Sequence, residues 1–145
     1  MTTADLLSRS ELFSELSTGI LSDISGICHE VKARKGEFVF RIGDPSKELF
    51  VLAEGAVDLG FGLISAEESK GGVITEPGQV FGWGALAGEM NYRLINAMCV
   101  EETRLVTMDG SELMKLLEGR PAAGFIFLRK LLAIVLNRMV LMAAT

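Results

Sequence analysis

The apolar positions of this chain change period twice. In residues 1–30 they follow a helical period: Leu16, Ile20, Leu21, Ile24 and Ile27 recur at spacings of three and four and make one stripe. Ser17 stands where an N-cap belongs, since its side-chain oxygen can accept from an unpaired N–H of the first turn. A shorter helix is predicted before it, over Leu6–Phe13.

From residue 31 to residue 108 the period falls to two. Phe38, Phe40 and Ile42 alternate with Val39 and Arg41, and Gly43-Asp44-Pro45 turns the chain. Leu49-Phe50-Val51-Leu52 is a continuous apolar run suited to a strand buried on both faces, closed by a turn at Glu54-Gly55. Val57, Leu59, Phe61 and Leu63 repeat at period two, and residues 65–72 make a polar tip. Val73–Thr75, Val80-Phe81, Ala97–Val100 and Arg104–Met108 complete a series of short strands at turn spacing.

From residue 109 to residue 145 the helical period returns. Asp109 and Glu112 have capping-box spacing, Gly119 can close that helix, and Pro121 fits the first turn of the next. In the last helix Phe125, Leu128, Leu132, Val135, Met139 and Met142 form a heptad-like stripe of the kind that seams helix pairs. Leu131, Ile134 and Val140 leave a second apolar surface. One face is expected on the β body and the other on a second copy of the chain, giving a homodimer; the alternative is that both faces pack within one chain. The pattern predicts a single domain over 1–145, mainly β with flanking helices: helical 1–30, a sandwich, jelly-roll or barrel body over 31–108, helical 109–145.

Composition narrows the function classes. A net charge of −5 argues against a surface built for nucleic acid or an anionic membrane. A membrane-spanning last helix would bury Arg129, Lys130, Asn137 and Arg138, at about 3 kcal/mol for each central cation. Cys28 and Cys99 lack metal or redox spacing and read as free thiols in a reducing compartment. The N-terminal residues hold no apolar core of secretory length, so the cytoplasm is the expected location. His29 is the lone histidine, too few for the multi-histidine metal site of cupin-like β-rolls. No nucleophile–base set assembles, and neither catalysis nor a required cofactor or metal is expected.

Residues 80–88, VFGWGALAG, carry the candidate chemistry: two glycines flank the single tryptophan, and Arg93 follows. Three motifs place this loop in context. Lys35–Asp44, Leu49–Val57 and Gly78–Gly82 resemble, in order, the first strand pair, the second strand turn and the start of the phosphate-binding cassette of the cyclic nucleotide-binding domain family. The stretch Phe81–Leu86 with Tyr92-Arg93 is further similar to a subgroup of small bacterial members with a Phe-Gly-Trp cassette.

The resemblance implies a double-stranded β-helix, a jelly-roll-like β-roll with N-terminal helices and a long C-terminal helix, that binds cAMP or cGMP and acts as a regulatory sensor. It assigns Gly82, Trp83, Gly84, Ala85 and Leu86 to the loop and its short helix, whose N–H groups would face the phosphate, and Arg93 to the phosphate itself. Read from the residues alone, the alternative for Arg93 is a surface salt bridge with Glu89 or Glu101. Two departures stand out. Trp83 replaces the usual ribose-binding glutamate, for which Glu89 further along the loop is not expected to substitute, and Leu94 and Ile95 replace small or hydroxyl residues. Trp83 can stack on a base, cap the pocket or fill it. Filling would make the domain a ligand-free scaffold that acts by dimerising or docking a partner through its last helix. Family members that regulate transcription continue into a helix-turn-helix; here the sequence stops at Thr145, and no DNA-reading element is expected.

Overall fold

The structure, a computed structural model, describes residues 1–60, 72–89 and 92–144, with backbone only for 141–144. Phe61, Leu63, most of the polar tip and the Met142 side chain lie outside the described residues.

Helix α1 spans Thr3–Ser8 and α2 spans Thr18–Ser25. Strands follow as β1 (Cys28–Ala33), β2 (Phe38–Phe40), β3 (Glu48–Glu54), β4 (Val57–Gly60), β5 (Val73–Ile74), β6 (Val80–Phe81), β7 (Asn96–Cys99) and β8 (Thr103–Asp109). Helices α3 (Gly110–Glu118) and α4 (Pro121–Ala144) close the chain. The strands form two antiparallel four-stranded sheets, ordered β1-β8-β3-β6 and β2-β7-β4-β5.

Alternation along β3 explains the layering. Phe50 and Leu52 point into a core between the sheets with Phe40, Val57, Leu59, Phe81 and Leu105. Leu49 and Val51 point the other way, into a core shared with the helices through Leu7, Phe13, Ile24, Leu113 and Phe127. The first sheet is thus covered on both faces, which is why β3 reads as an unbroken apolar run. The mainly β architecture with flanking helices is the one expected.

The boundaries differ in three places. The first helix is Thr3–Ser8 and not Leu6–Phe13. Thr2 and Asp5 form a reciprocal capping box that sets its start earlier, and the buried Ser10 hydroxyl donates to Gly78 O (2.7 Å), pulling the chain out of helix. Strand β1 begins at Cys28, ahead of residue 31, and is mostly exposed; its place is set by pairing with β8 across Cys28–Met108 to Ala33–Thr103. Of the alternating set Phe38, Phe40 and Ile42, only Phe40 is buried, because a register shift interrupts β2. Ser17 caps α2, and the Asp109 side chain accepts from Glu112 N–H (2.9 Å) at the start of α3.

Helix α4 divides its apolar residues between two faces. Phe127 and Ile134 are buried and Leu131 is packed on the helical core, whereas Phe125 (64 %), Leu132 (57 %) and Met139 (59 %) are exposed. Packing of both faces within one chain is therefore not what the structure shows.

Candidate functional site

Strand β6 leads into a loop that only glycine can open. Gly82 has φ +83°, in the left-handed region, and a Cβ there would meet Glu48 O at 3.0 Å and the Arg93 Nη1 at 3.1 Å. A single 3-10 turn, Trp83–Leu86, follows. Leu86 is buried in the helical core, and Ala85 lies against Gly110 at the head of α3. The Ala85 and Ala87 N–H groups are taken by Gly82 O and Gly84 O. So short a turn has no helix dipole to offer an anion, and the positive charge of this site is supplied by Arg93.

Arg93 is buried, 6 % exposed, with its guanidinium 4.1 Å above the Phe40 ring and 5.8 Å from that of Phe50. Its Nη1 donates to Gly82 O (3.1 Å) and its Nη2 to Glu48 O (2.6 Å). Its Nε has no partner among the described residues. Among the described residues it makes no ion pair: Glu89 and Glu101 are exposed, and the Glu48 carboxylate accepts from the Thr107 hydroxyl at 2.7 Å. The surface salt bridge is thereby overturned. Burial lowers the Arg93 pKa, and the nearby charges of Glu48 and Asp44 raise it in part. An open concavity of about 510 Å³ across β2 shares Phe40 and Asp44 with these surroundings, within the usual size range of small-ligand sites.

Trp83 faces the other way. It packs on the core between the first sheet and the helices, not on the one between the sheets, and the Arg138 guanidinium lies 5.1 Å from its ring. The indole therefore does not fill the β-roll. Its Nε1 is buried without a partner among the described residues. Leu94 is 63 % exposed and turns away from the inter-sheet core, while Ile95 packs on that core. Glu89 is exposed, and the Arg93 guanidinium bonds Gly82 O and Glu48 O instead.

Sequence reasoning missed Glu11 and Arg138. The Arg138 Nη1 donates to Val80 O (2.5 Å) and its Nη2 to the Glu11 carboxylate (2.6 Å), which in turn accepts from Val80 N–H (2.7 Å). The available signal was spacing: Arg138 falls on the same helix face as Phe127, Leu131 and Ile134, where a cation needs a partner. No helix among the described residues is long and apolar enough to cross a membrane, and no cluster of metal-ligating side chains occurs among them.

The sequence profile of the cyclic nucleotide-binding domain matches residues 30–120, most of the chain. This chain belongs to the cyclic nucleotide-binding domain family. The domain is similar, at 31 % identity over 81 % of its length, to a candidate potassium channel protein of Rhodopseudomonas palustris, of which it spans 27 %. Among solved structures, a candidate cyclic nucleotide-binding protein from Geobacter metallireducens GS-15 superposes with a TM-score of 0.79 at 24 % identity, covering 96 % of this domain and 99 % of that chain. A cAMP-bound PfPKA-R fragment superposes with a TM-score of 0.78 at 18 % identity, covering 97 % of this domain and 45 % of that chain. At these identities the two structures establish the fold.

Proposed function

We propose that this domain is a regulatory sensor that takes a cyclic nucleoside monophosphate, cAMP or cGMP, with its phosphate on Arg93. The observation that carries the reading is the buried guanidinium that, among the described residues, pairs with no carboxylate and leaves Nε unsatisfied. A buried cation with no directly paired carboxylate is costly even with the Glu48 and Asp44 charges nearby, and an anion with two acceptor oxygens would satisfy it. Gly82, Gly84, Ala85 and the Ile95 backbone would form the wall around it, with Trp83 and Leu86 anchoring the loop to the helical layer and Leu94 at the rim. On this reading the domain is a cytoplasmic binding module of the Phe-Gly-Trp subgroup, not an enzyme, and it works without nucleic acid or membrane.

The departures predict weak binding. With Trp83 turned to the helices, the ribose hydroxyl lacks its acidic acceptor, which costs about 1–3 kcal/mol. Calorimetric titration with cAMP and with cGMP tests the proposal. Saturable heat that disappears in Arg93→Met supports it; no heat and no thermal stabilisation at millimolar nucleotide sinks it.

The exposed face of α4 favours a second reading, in which the domain acts as a scaffold through a second copy of itself. Phe125, Leu128, Leu132, Leu136 and Met139 are all about half exposed or more, a stripe that a paired helix would cover. A sedimentation mass that stays monomeric across concentration excludes the homodimer.

A further inference from the structure

The two sheets have four outer strands, β1 and β6 in one, β2 and β5 in the other. Among the described residues β2, β5 and β6 are two or three residues long, and a register shift breaks β2. The outer edge of β6 is also closed by a clasp: Val80 N–H donates to the Glu11 carboxylate, Val80 O accepts from Arg138, and Glu11 and Arg138 bond each other. Strand β1 has none of these protections. It runs for six residues, pairs with β8 in unbroken register, and has no second strand beside it among the described residues. His29, Glu30, Val31 and Lys32 are all exposed. Every second residue of such a strand turns its N–H and C=O outward, a template for one more strand.

The charges on β1 decide which strand fits. Ala33 joins the core between the sheets, so His29 and Val31 share its face and Glu30 and Lys32 take the other. Glu54, Arg104 and Lys32 stand in one row across β3, β8 and β1. Arg104 pairs with Glu54 (3.4 Å) and with Glu30 (3.7 Å). Lys32, directly opposite Arg104, makes no ion pair among the described residues. Two like charges placed opposite each other in a sheet are unfavourable. A carboxylate on the outer side of Lys32 would balance the row, and an apolar strand laid there would supply none.

We propose that the β1 edge is a docking surface for β1 of a second copy of this chain, antiparallel and centred on Val31. In that register Glu30 faces Lys32 of the second copy, Lys32 faces its Glu30, and the two Val31 residues meet on the two-fold axis. The nearest registers that keep side chains on matching faces bring Glu30 against Glu30 or Lys32 against Lys32. The charges thus select one register and one partner. The contact is isologous: it joins the two β1-β8-β3-β6 sheets into one and leaves neither β1 edge open to a third chain. It is independent of Arg93, of any nucleotide and of the exposed face of α4. A lone strand pair buries less than the about 1,200 Å² at which standard stable interfaces begin, so the association is weak.

Sedimentation of the full chain up to about 1 mM, with charge reversals on the edge, tests this. Glu30→Lys and Lys32→Glu each set like charges opposite each other twice and should weaken association by about tenfold, with circular dichroism unchanged. The double variant Glu30→Lys/Lys32→Glu restores both pairs and should associate as the parent does. Leu132→Glu, on the exposed face of α4, should leave this association intact. Disulfide capture reads the register. In a Cys28→Ser background, Val31→Cys places two thiols on the axis, within the Cα separation of about 4.4–6.8 Å that a disulfide needs. His29→Cys places them about 13 Å apart along the strands and should not cross-link. A monomer at every concentration overturns the proposal. So does association that Leu132→Glu abolishes and the charge reversals leave alone, or cross-linking of Val31→Cys no faster than that of His29→Cys.

Discussion

Gly110 is where α3 meets the cassette most closely, and adding one methyl group there tests the packing. A Cβ on Gly110 would lie 2.7 Å from Ala85 C and 2.9 Å from Ala85 Cβ, and closer still to Ala85 O. The obstacle is mostly backbone, so no rotamer change relieves it; α3 and the turn Trp83–Leu86 must separate. Overpacking of this kind costs about 1–3 kcal/mol. Replacing a helical glycine by alanine returns at most about 1 kcal/mol. The net expectation for Gly110→Ala is a loss of about 1–2 kcal/mol, or about 3–8 °C in melting temperature for a chain of this size. Gly19→Ala is the control: it lies in α2 with nothing within 4 Å of its Cβ position, and should gain about 0.5–1 kcal/mol. Thermal and urea unfolding of both variants reads the difference, and Trp83 emission reports whether the turn moved. Gly110→Ala melting at or above the parent, with Gly19→Ala stabilised as expected, would refute the close approach of α3 to the cassette.

Three further outcomes follow from single groups. Ser10→Ala removes a buried hydroxyl that donates to Gly78 O and accepts from Leu12 N–H at 3.2 Å; urea unfolding should show a loss of about 1–3 kcal/mol. Asp109→Ala removes the cap of α3 and should lower stability by about 1 kcal/mol in the same assay; an unchanged midpoint contradicts the cap. Burial pushes the Cys28 thiol up to about 11. Folding thus favours the protonated thiol, a contribution present below the unfolded value near 9 and lost as pH rises through about 11. At pH 8 the folded protein should react with iodoacetamide at Cys28 about 100-fold more slowly than the unfolded chain, the ratio of thiolate fractions; peptide mapping that finds equal rates contradicts the burial.

What could be read in the sequence was what local chemistry decides. Ser17 and Asp109 cap their helices because a cap needs only the next turn. Strand β3 was legible because burial on both faces leaves a run without polar interruption. Strand β1 was not, because its exposed residues owe their conformation to β8 and carry no alternation of their own. The same division runs through the site. The position of Arg93 was legible, but its acceptors are the backbone carbonyls of Gly82 and Glu48, which no side-chain pattern announces. The direction of Trp83 follows from the left-handed backbone at Gly82 and the register of β6, so the sequence alone left stacking, capping and filling open. Arg138 became interpretable only once the body-facing side of α4 was known.

The Glu11–Arg138 clasp also has a consequence for synthesis of the chain. Its two members are 127 positions apart, and Val80 is translated 58 residues before the arginine that covers its carbonyl. At about 5–20 residues per second, that interval lasts about 3–12 s. During it β6 can pair with β3, yet its outer edge has only half of its cover, the Glu11 carboxylate. The nascent domain therefore passes through a stage in which a strand beside the Gly82 loop is open to pairing with another chain, and the arrival of α4 ends it.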